Sequence, residues 1–213
     1  MMRAMALTPP TPSPKLGRGG MIWGTTMFSM PHPSPRLGRG VGVRTAMTTP
    51  ETTAYAIHAR GLRKAFAGQA AVDGLDLAVR AGEIFGLVGP DGAGKTTTMR
   101  LLVGIMDFDA GEATVAGADV RRQPEAVKRR IGYMPQRFSL YGDLTVAENL
   151  YFFARIYGVP RAERLRRERE LLEFSRLGPF RDRLAQHLSG GMKQKLALAC
   201  TLMHTPCVLF LDE

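Results

Sequence analysis

Ile84-Phe-Gly-Leu-Val88, running directly into Gly89-Pro-Asp-Gly-Ala-Gly94-Lys95-Thr96, is a short apolar segment followed by a glycine-spaced loop. The first part reads as a strand buried on both faces. The second has the spacing Gly, four residues, Gly-Lys-Thr, and a helix is predicted from Lys95 to Val103, closed by Gly104. Glycines let backbone N–H groups converge on an anion with no side chain in the way, and the helix start adds the positive end of its dipole. Lys95 is then placed to neutralise terminal phosphates, and the Thr96 hydroxyl to complete the octahedral oxygen shell of Mg²⁺. A glycine-rich turn with an exposed lysine is the competing reading, and it leaves the flanking strand and helix unused.

A second buried-strand pattern, Cys207-Val-Leu-Phe-Leu-Asp212-Glu213, ends in two adjacent acids. At the C-terminal edge of a strand both side chains can reach a ligand in the crevice. Asp212 suits a direct or water-mediated Mg²⁺ ligand, and Glu213 suits the base that orients or deprotonates an attacking water. Taken alone, such a pair is equally well read as the start of a solvated loop. Upstream of it, Leu188-Ser-Gly-Gly-Met-Lys-Gln-Lys195 opens a helix whose apolar positions Leu196, Ala199, Cys200 and Met203 share one face. Ser189 is placed to cap this helix, while Gly190 and Gly191 leave its first N–H groups accessible.

Between these segments the chain alternates and then turns helical. Tyr55, Ile57 and Ala59 alternate with Ala56, His58 and Arg60, and Leu75, Leu77 and Val79 with Asp76, Ala78 and Arg80, which is strand periodicity. Thr145 and Glu148 form a capping box ahead of a helix with Val146, Leu150, Phe153 and Tyr157 on one face, ended by Gly158 and Pro160. In Arg161 to Phe174, the pairs Glu163/Arg167, Arg164/Glu168, Arg166/Glu170 and Arg169/Glu173 are four apart, as in a solvated helix.

Composition narrows the classes. The chain carries 29 Lys+Arg against 19 Asp+Glu, a net +10. Six of the basic residues and no acid lie in residues 1–50, so the charge splits as +6 there and 23 − 19 = +4 in the rest. Most of the excess thus sits in a leader rich in Pro, Gly, Thr and Met, and no nucleic-acid partner is expected. Pro12-Ser-Pro-Lys-Leu-Gly-Arg-Gly19 recurs in it as Pro33-Ser-Pro-Arg-Leu-Gly-Arg-Gly40, with few aliphatic residues to offset the entropy of ordering. Residues 1–46 are expected to be disordered, or not translated, with Met47 as the start; an Arg-bearing transit peptide is the other reading. No run reaches the ~18 apolar residues of a membrane span. Two cysteines, Cys200 and Cys207, exclude a disulfide framework or a four-thiolate zinc site.

From about Ile57 to Glu213 the chain resembles the ATP-binding subunit of an ABC transporter. Gly89 to Thr97, including Asp91, Gly92, Ala93, Gly94, Lys95, Thr96 and Thr97, matches the Walker A loop; Gln136 in Tyr-Met-Pro-Gln matches the glutamine that senses Mg²⁺ and the attacking water. Ser189, Gly190 and Gly191 match the signature motif, and Asp212 and Glu213 match Walker B and the catalytic glutamate. Phe66 matches the aromatic that stacks on adenine, with a strand-end core residue as the alternative. The segment Gln136-Arg-Phe-Ser-Leu-Tyr-Gly-Asp-Leu-Thr-Val-Ala-Glu-Asn is most similar to exporters of the multidrug-efflux type.

The resemblance implies an α/β fold: a P-loop NTPase core with a mostly parallel sheet flanked by helices, a small antiparallel β part, and an inserted α-helical subdomain. The core would span 47–136 and 188–213, with the helical subdomain at 137–187 between them. It also implies ATP and Mg²⁺ as cofactors, a second ATP-binding subunit in a head-to-tail dimer, membrane-spanning permease partners, and a place on the cytoplasmic face of the cell membrane. Asp91, where Asn is common, and Met192, where Gln is usual, imply retained ATP binding with altered affinity. Because family members continue past Walker B with a further strand and a switch histidine, the fold is expected to be incomplete at the C-terminus, with unpaired groups in the sheet centre. A non-transport ATPase of the superfamily, acting in DNA repair or translation, and an inactive ATP-binding fragment are the rival readings. A soluble kinase or GTPase gives no reason for Leu188-Ser-Gly-Gly.

Overall fold

The computed structural model describes residues 3–7, 25–29, 55–137 and 140–212. The chain divides into two compact units, Met1–Lys128 and Arg129–Glu213.

In the first unit, β1 (Arg3–Leu7) and β2 (Thr25–Ser29) precede a hairpin of β3 (Tyr55–Phe66) and β4 (Gln69–Arg80). The hairpin turns through Ala67 and Gly68, both at positive φ (47° and 83°), the backbone hand that matches the twist of paired strands. β5 (Ile84–Val88) and α1 (Lys95–Leu102) follow, then β6 (Ala110–Val115) and β7 (Ala118–Asp119). The sheet order is β4-β3-β6-β7, antiparallel throughout. The alternation read from sequence is found: Leu77 and Val79 are buried while Asp76, Ala78 and Arg80 are exposed. Ile57, Leu62, Leu87, Met99, Leu101 and Val115 form the core, and α1 lies against β4 and β6.

One expectation is corrected in this unit. Ile84 to Val88 is not buried on both faces: Phe85 and Leu87 are buried, whereas Ile84 is 45% exposed. β1 and β2 each pair antiparallel with β5, Arg3 opposite Val88 and Thr25 opposite Leu87. Both edges of the strand that feeds the phosphate loop are thereby paired, not left open. The physical reason is that unpaired strand edges present rows of N–H and C=O groups that any short β-prone segment satisfies. The rest of the leader, its repeat included, lies outside the described residues.

α2 (Pro124–Arg130) leads into the second unit, where β8 (Ile131–Met134) runs parallel to β9 (Val208–Leu211), Tyr133 opposite Phe210 and Met134 opposite Leu211. This is the parallel pairing expected of the core. Between the two strands lie α3 (Val146–Ile156), α4 (Arg161–Ser175) and α5 (Gly190–Leu202), with α5 packed on α3, α4 and β8. The Thr145/Glu148 capping box is present in full. The buried stripe of α3 is Val146, Asn149, Leu150 and Ala154, shifted from the expected one, since Tyr157 is 39% exposed at the helix end. Asn149 is buried because it ties down the preceding loop: its amide accepts from Tyr141 N–H at 3.0 Å and donates to the carbonyls of Tyr141, Leu144 and Thr145.

α4 is less solvated than its charge pattern suggests. Arg166 does pair with Glu170 at 2.6 Å, but Glu168 is buried and bonds Arg181, beyond the helix, at 2.9 Å. Arg164 stacks on Tyr151 of α3 instead of meeting Glu168, its ring-to-guanidinium distance being 4.4 Å. Burial pushes both cysteine thiols up, in keeping with two packed, unreactive side chains. Among the described residues no helix is long and apolar enough to cross a membrane.

Candidate functional site

The phosphate loop joins β5 to α1. Gly94 caps α1 in the left-handed region (φ 81°), and Thr98 N–H donates to its carbonyl at 2.8 Å to start the helix. A Cβ at Gly94 would lie 2.1 Å from the carbonyl oxygen of Ala71 in β4, so both the turn and the packing require glycine there. Ala93 N–H donates to Pro90 O at 3.2 Å, closing a tight turn around Asp91 and Gly92, which are exposed. The Lys95 ammonium folds back over this turn and donates to Gly89 O and Pro90 O, both at 2.8 Å. The loop thus carries a cation laid across its carbonyls at the start of a helix, two features that favour an anion. Thr96 and Thr97 follow in the first helical turn, half-buried.

Phe66 stands at the turn end of the β3–β4 hairpin, opposite Gln69, and the β4 strand of that hairpin touches the loop at Ala71 and Gly94. It is 47% exposed, and the Lys64 ammonium lies 5.6 Å from its ring centroid. With that exposure Phe66 is not a strand-end core residue, and its ring face is open to a partner.

In the second unit, two of the predicted residues, Gln136 and Asp212, line one cavity of about 580 Å³ together with Lys193 and Gln194, whereas Ser189, Gly190 and Gly191 are not among its lining residues. Asp212 follows β9 and is 6% exposed; its N–H donates to Met134 O at 2.9 Å, and the Tyr133 hydroxyl donates to its Oδ2 at 3.3 Å. Gln136 is exposed, two residues beyond β8. No group of three or more His, Cys, Asp or Glu able to hold a metal occurs among the described residues. One carboxylate and one amide oxygen nonetheless fit Mg²⁺, which takes one or two carboxylates and completes its shell with water and substrate phosphates. Glu213 lies outside the described residues.

Ser189 caps α5, its Oγ accepting from Met192 N–H at 3.4 Å, as the sequence suggests. Gly190 and Gly191 are exposed, and a Cβ at either would meet nothing within 4 Å. Among the described residues nothing therefore requires glycine at these two positions. Sequence reading overlooked Tyr133, Lys193 and Gln194. The last two follow the glycines at helical spacing and carry no signal of a cavity until α5 is placed beside β8.

A family model described as ABC transporter matches residues 72–213. The chain is 54% identical over 155 residues to a probable multidrug ABC transporter ATP-binding protein of Escherichia coli, covering 72% of this chain and 27% of that protein. It is 45% identical over 158 residues to a daunorubicin/doxorubicin resistance ATP-binding protein of Streptomyces peucetius, covering 74% of this chain and 48% of the other. The chain thus spans about half or less of the length of these relatives. A solved structure of an ATP-binding subunit of an ABC transporter superposes with a TM-score of 0.61 at 28% identity, covering 71% of this chain and 63% of that one.

Proposed function

Because this chain belongs to the ABC transporter family, we propose that it binds and hydrolyses ATP to power export through separate membrane-spanning permease subunits. The observation that carries the reading is the loop between β5 and α1, with Gly94 pressed against Ala71 and Lys95 laid across the turn. In this account the loop amides hold the triphosphate, Lys95 neutralises its terminal charge, and Phe66 stacks on the base. Thr96 in the first unit and Gln136 and Asp212 in the second are the residues that would hold Mg²⁺, which would supply charge neutralisation at the phosphates. Glu213 takes the proton of the attacking water, and Gln136 orients that water.

The working form is a head-to-tail pair of ATP-binding subunits, each phosphate loop facing the signature segment of the other. Gly190 and Gly191, which nothing among the described residues requires, support this, because they leave room for a partner's nucleotide. ATP contacted from both sides favours the closed pair, and ADP does not. We place the protein on the cytoplasmic face of the cell membrane, bound to its permease. The names of the relatives, multidrug transport and drug resistance, favour an exported small molecule as substrate.

An ATPase assay with Glu213→Gln beside the parent tests the reading. Magnesium-dependent turnover that falls at least a hundredfold in the variant is expected; equal turnover in both removes Glu213 from its role.

A further inference from the structure

Tyr133 opens the Tyr-Met-Pro-Gln segment and has no role in the reading above, yet its hydroxyl meets the carboxylate of Asp212. β8 and β9 pair in register to Met134 and Leu211, and the ladder continues one step further through the bond from Asp212 N–H to Met134 O at 2.9 Å. Asp212 is thus held twice by consecutive residues of β8: its backbone by Met134, and its Oδ2 by the Tyr133 hydroxyl at 3.3 Å. The two residues after Met134 are Pro135 and Gln136, which line the same cavity as Asp212.

We propose that Tyr133 is a positioning residue for Asp212, its hydroxyl fixing the rotation of the carboxylate that binds Mg²⁺ with ATP; this rests on the ATP-binding reading above. The terminal torsion of an aspartate is broad and two-fold, so a carboxylate left to itself samples orientations unsuited to a metal. A hydrogen bond from behind selects one, and loss of such a partner lowers metal affinity by about 10- to 100-fold. The donor is also neutral. An Arg or Lys in its place would pair with the charge that the cation needs, whereas a phenol holds the carboxylate without cancelling it.

The test uses the full chain and a fluorescent ATP analogue titrated with and without magnesium. Tyr133→Phe keeps the ring and deletes the donor. The expected result is about a tenfold rise in the magnesium concentration that half-maximally tightens nucleotide binding, with magnesium-free affinity and the unfolding midpoint unchanged. In an Asp212→Asn background, the same substitution is expected to add nothing, since its effect passes through Asp212. A magnesium requirement within twofold of the parent's overturns the assignment, as does an equal loss with and without magnesium, or a full effect in the Asp212→Asn background. Absence of any magnesium-dependent ATP binding in the parent overturns the ATP-binding reading as well, which separates the two failures.

Discussion

The carbonyl oxygen of Ala71 occupies the space that a side chain at Gly94 would need: a Cβ built there lies 2.1 Å from it. The contact is backbone to backbone, so no rotamer change relieves it. Gly94→Ala must therefore move β4 away from the loop or unwind the start of α1, besides carrying a φ of 81°. A loss of about 3 to 5 kcal/mol of folding free energy is expected in urea titration, together with loss of nucleotide binding.

Gly191→Ala should behave in the opposite way. A methyl group there meets nothing within 4 Å, and alanine suits the first turn of α5 better than glycine. Stability is expected to stay level or rise by up to about 1 kcal/mol, while ATP hydrolysis falls because a partner's nucleotide loses its room. Steady-state turnover beside a thermal melt checks both halves.

Asn149 makes four hydrogen bonds to the 141–145 loop and has no exposed surface. Asn149→Ala strands these buried groups, at about 2 to 4 kcal/mol. Asn149→Asp has the same shape but no N–H to donate, and it is expected to be at least as damaging. Chemical denaturation of the two variants distinguishes a hydrogen-bonding role from a space-filling one.

His204 gives the fold a pH dependence. Its Nε2 meets Ile131 O at 2.9 Å, its ring stacks on Tyr157 at 3.7 Å, and its Nδ1 is buried without a hydrogen-bond partner among the described residues. Burial holds the imidazole below its ordinary pKa; the bond to Ile131 acts in the opposite sense, and the nearby Arg167 adds to the lowering. The folded state therefore binds its proton later than the unfolded chain does. Stability from this group is complete above about pH 6.5 and declines as the pH falls below that, by up to about 1.4 kcal/mol per pH unit. The carboxylates Glu148 and Asp109 are held low in the fold, so their contribution is lost only in more acidic solution. Between about pH 6.5 and 5, His204→Gln is expected to flatten the stability curve relative to the parent, as read by denaturant midpoints.

Local signals carried much of this structure. The spacing around Lys95 located the strand, loop and helix, and the Thr145/Glu148 pair located the start of α3, because each depends only on residues within one turn or loop. Signals that depend on a distant neighbour were not legible. Arg164 and Glu168 sit at ideal helical spacing, yet each finds a partner on another element, Tyr151 and Arg181. The apolar run at Ile84 gave no sign that leader strands would pair with both its edges, since strand pairing is encoded by two separate segments at once. At the site, Asp212 was visible as an acid ending a strand, but the donor behind it, Tyr133, is 79 residues away in sequence and entered only through the β8–β9 register.

In the proposed function the loop ahead of Lys95 holds the phosphates of ATP. Equilibrium titration of the full chain with ATP and magnesium, beside Lys95→Ala, tests it most directly. Magnesium-dependent binding that weakens at least tenfold in the variant is expected, while the unfolding midpoint stays put. Undiminished affinity after Lys95→Ala would contradict it.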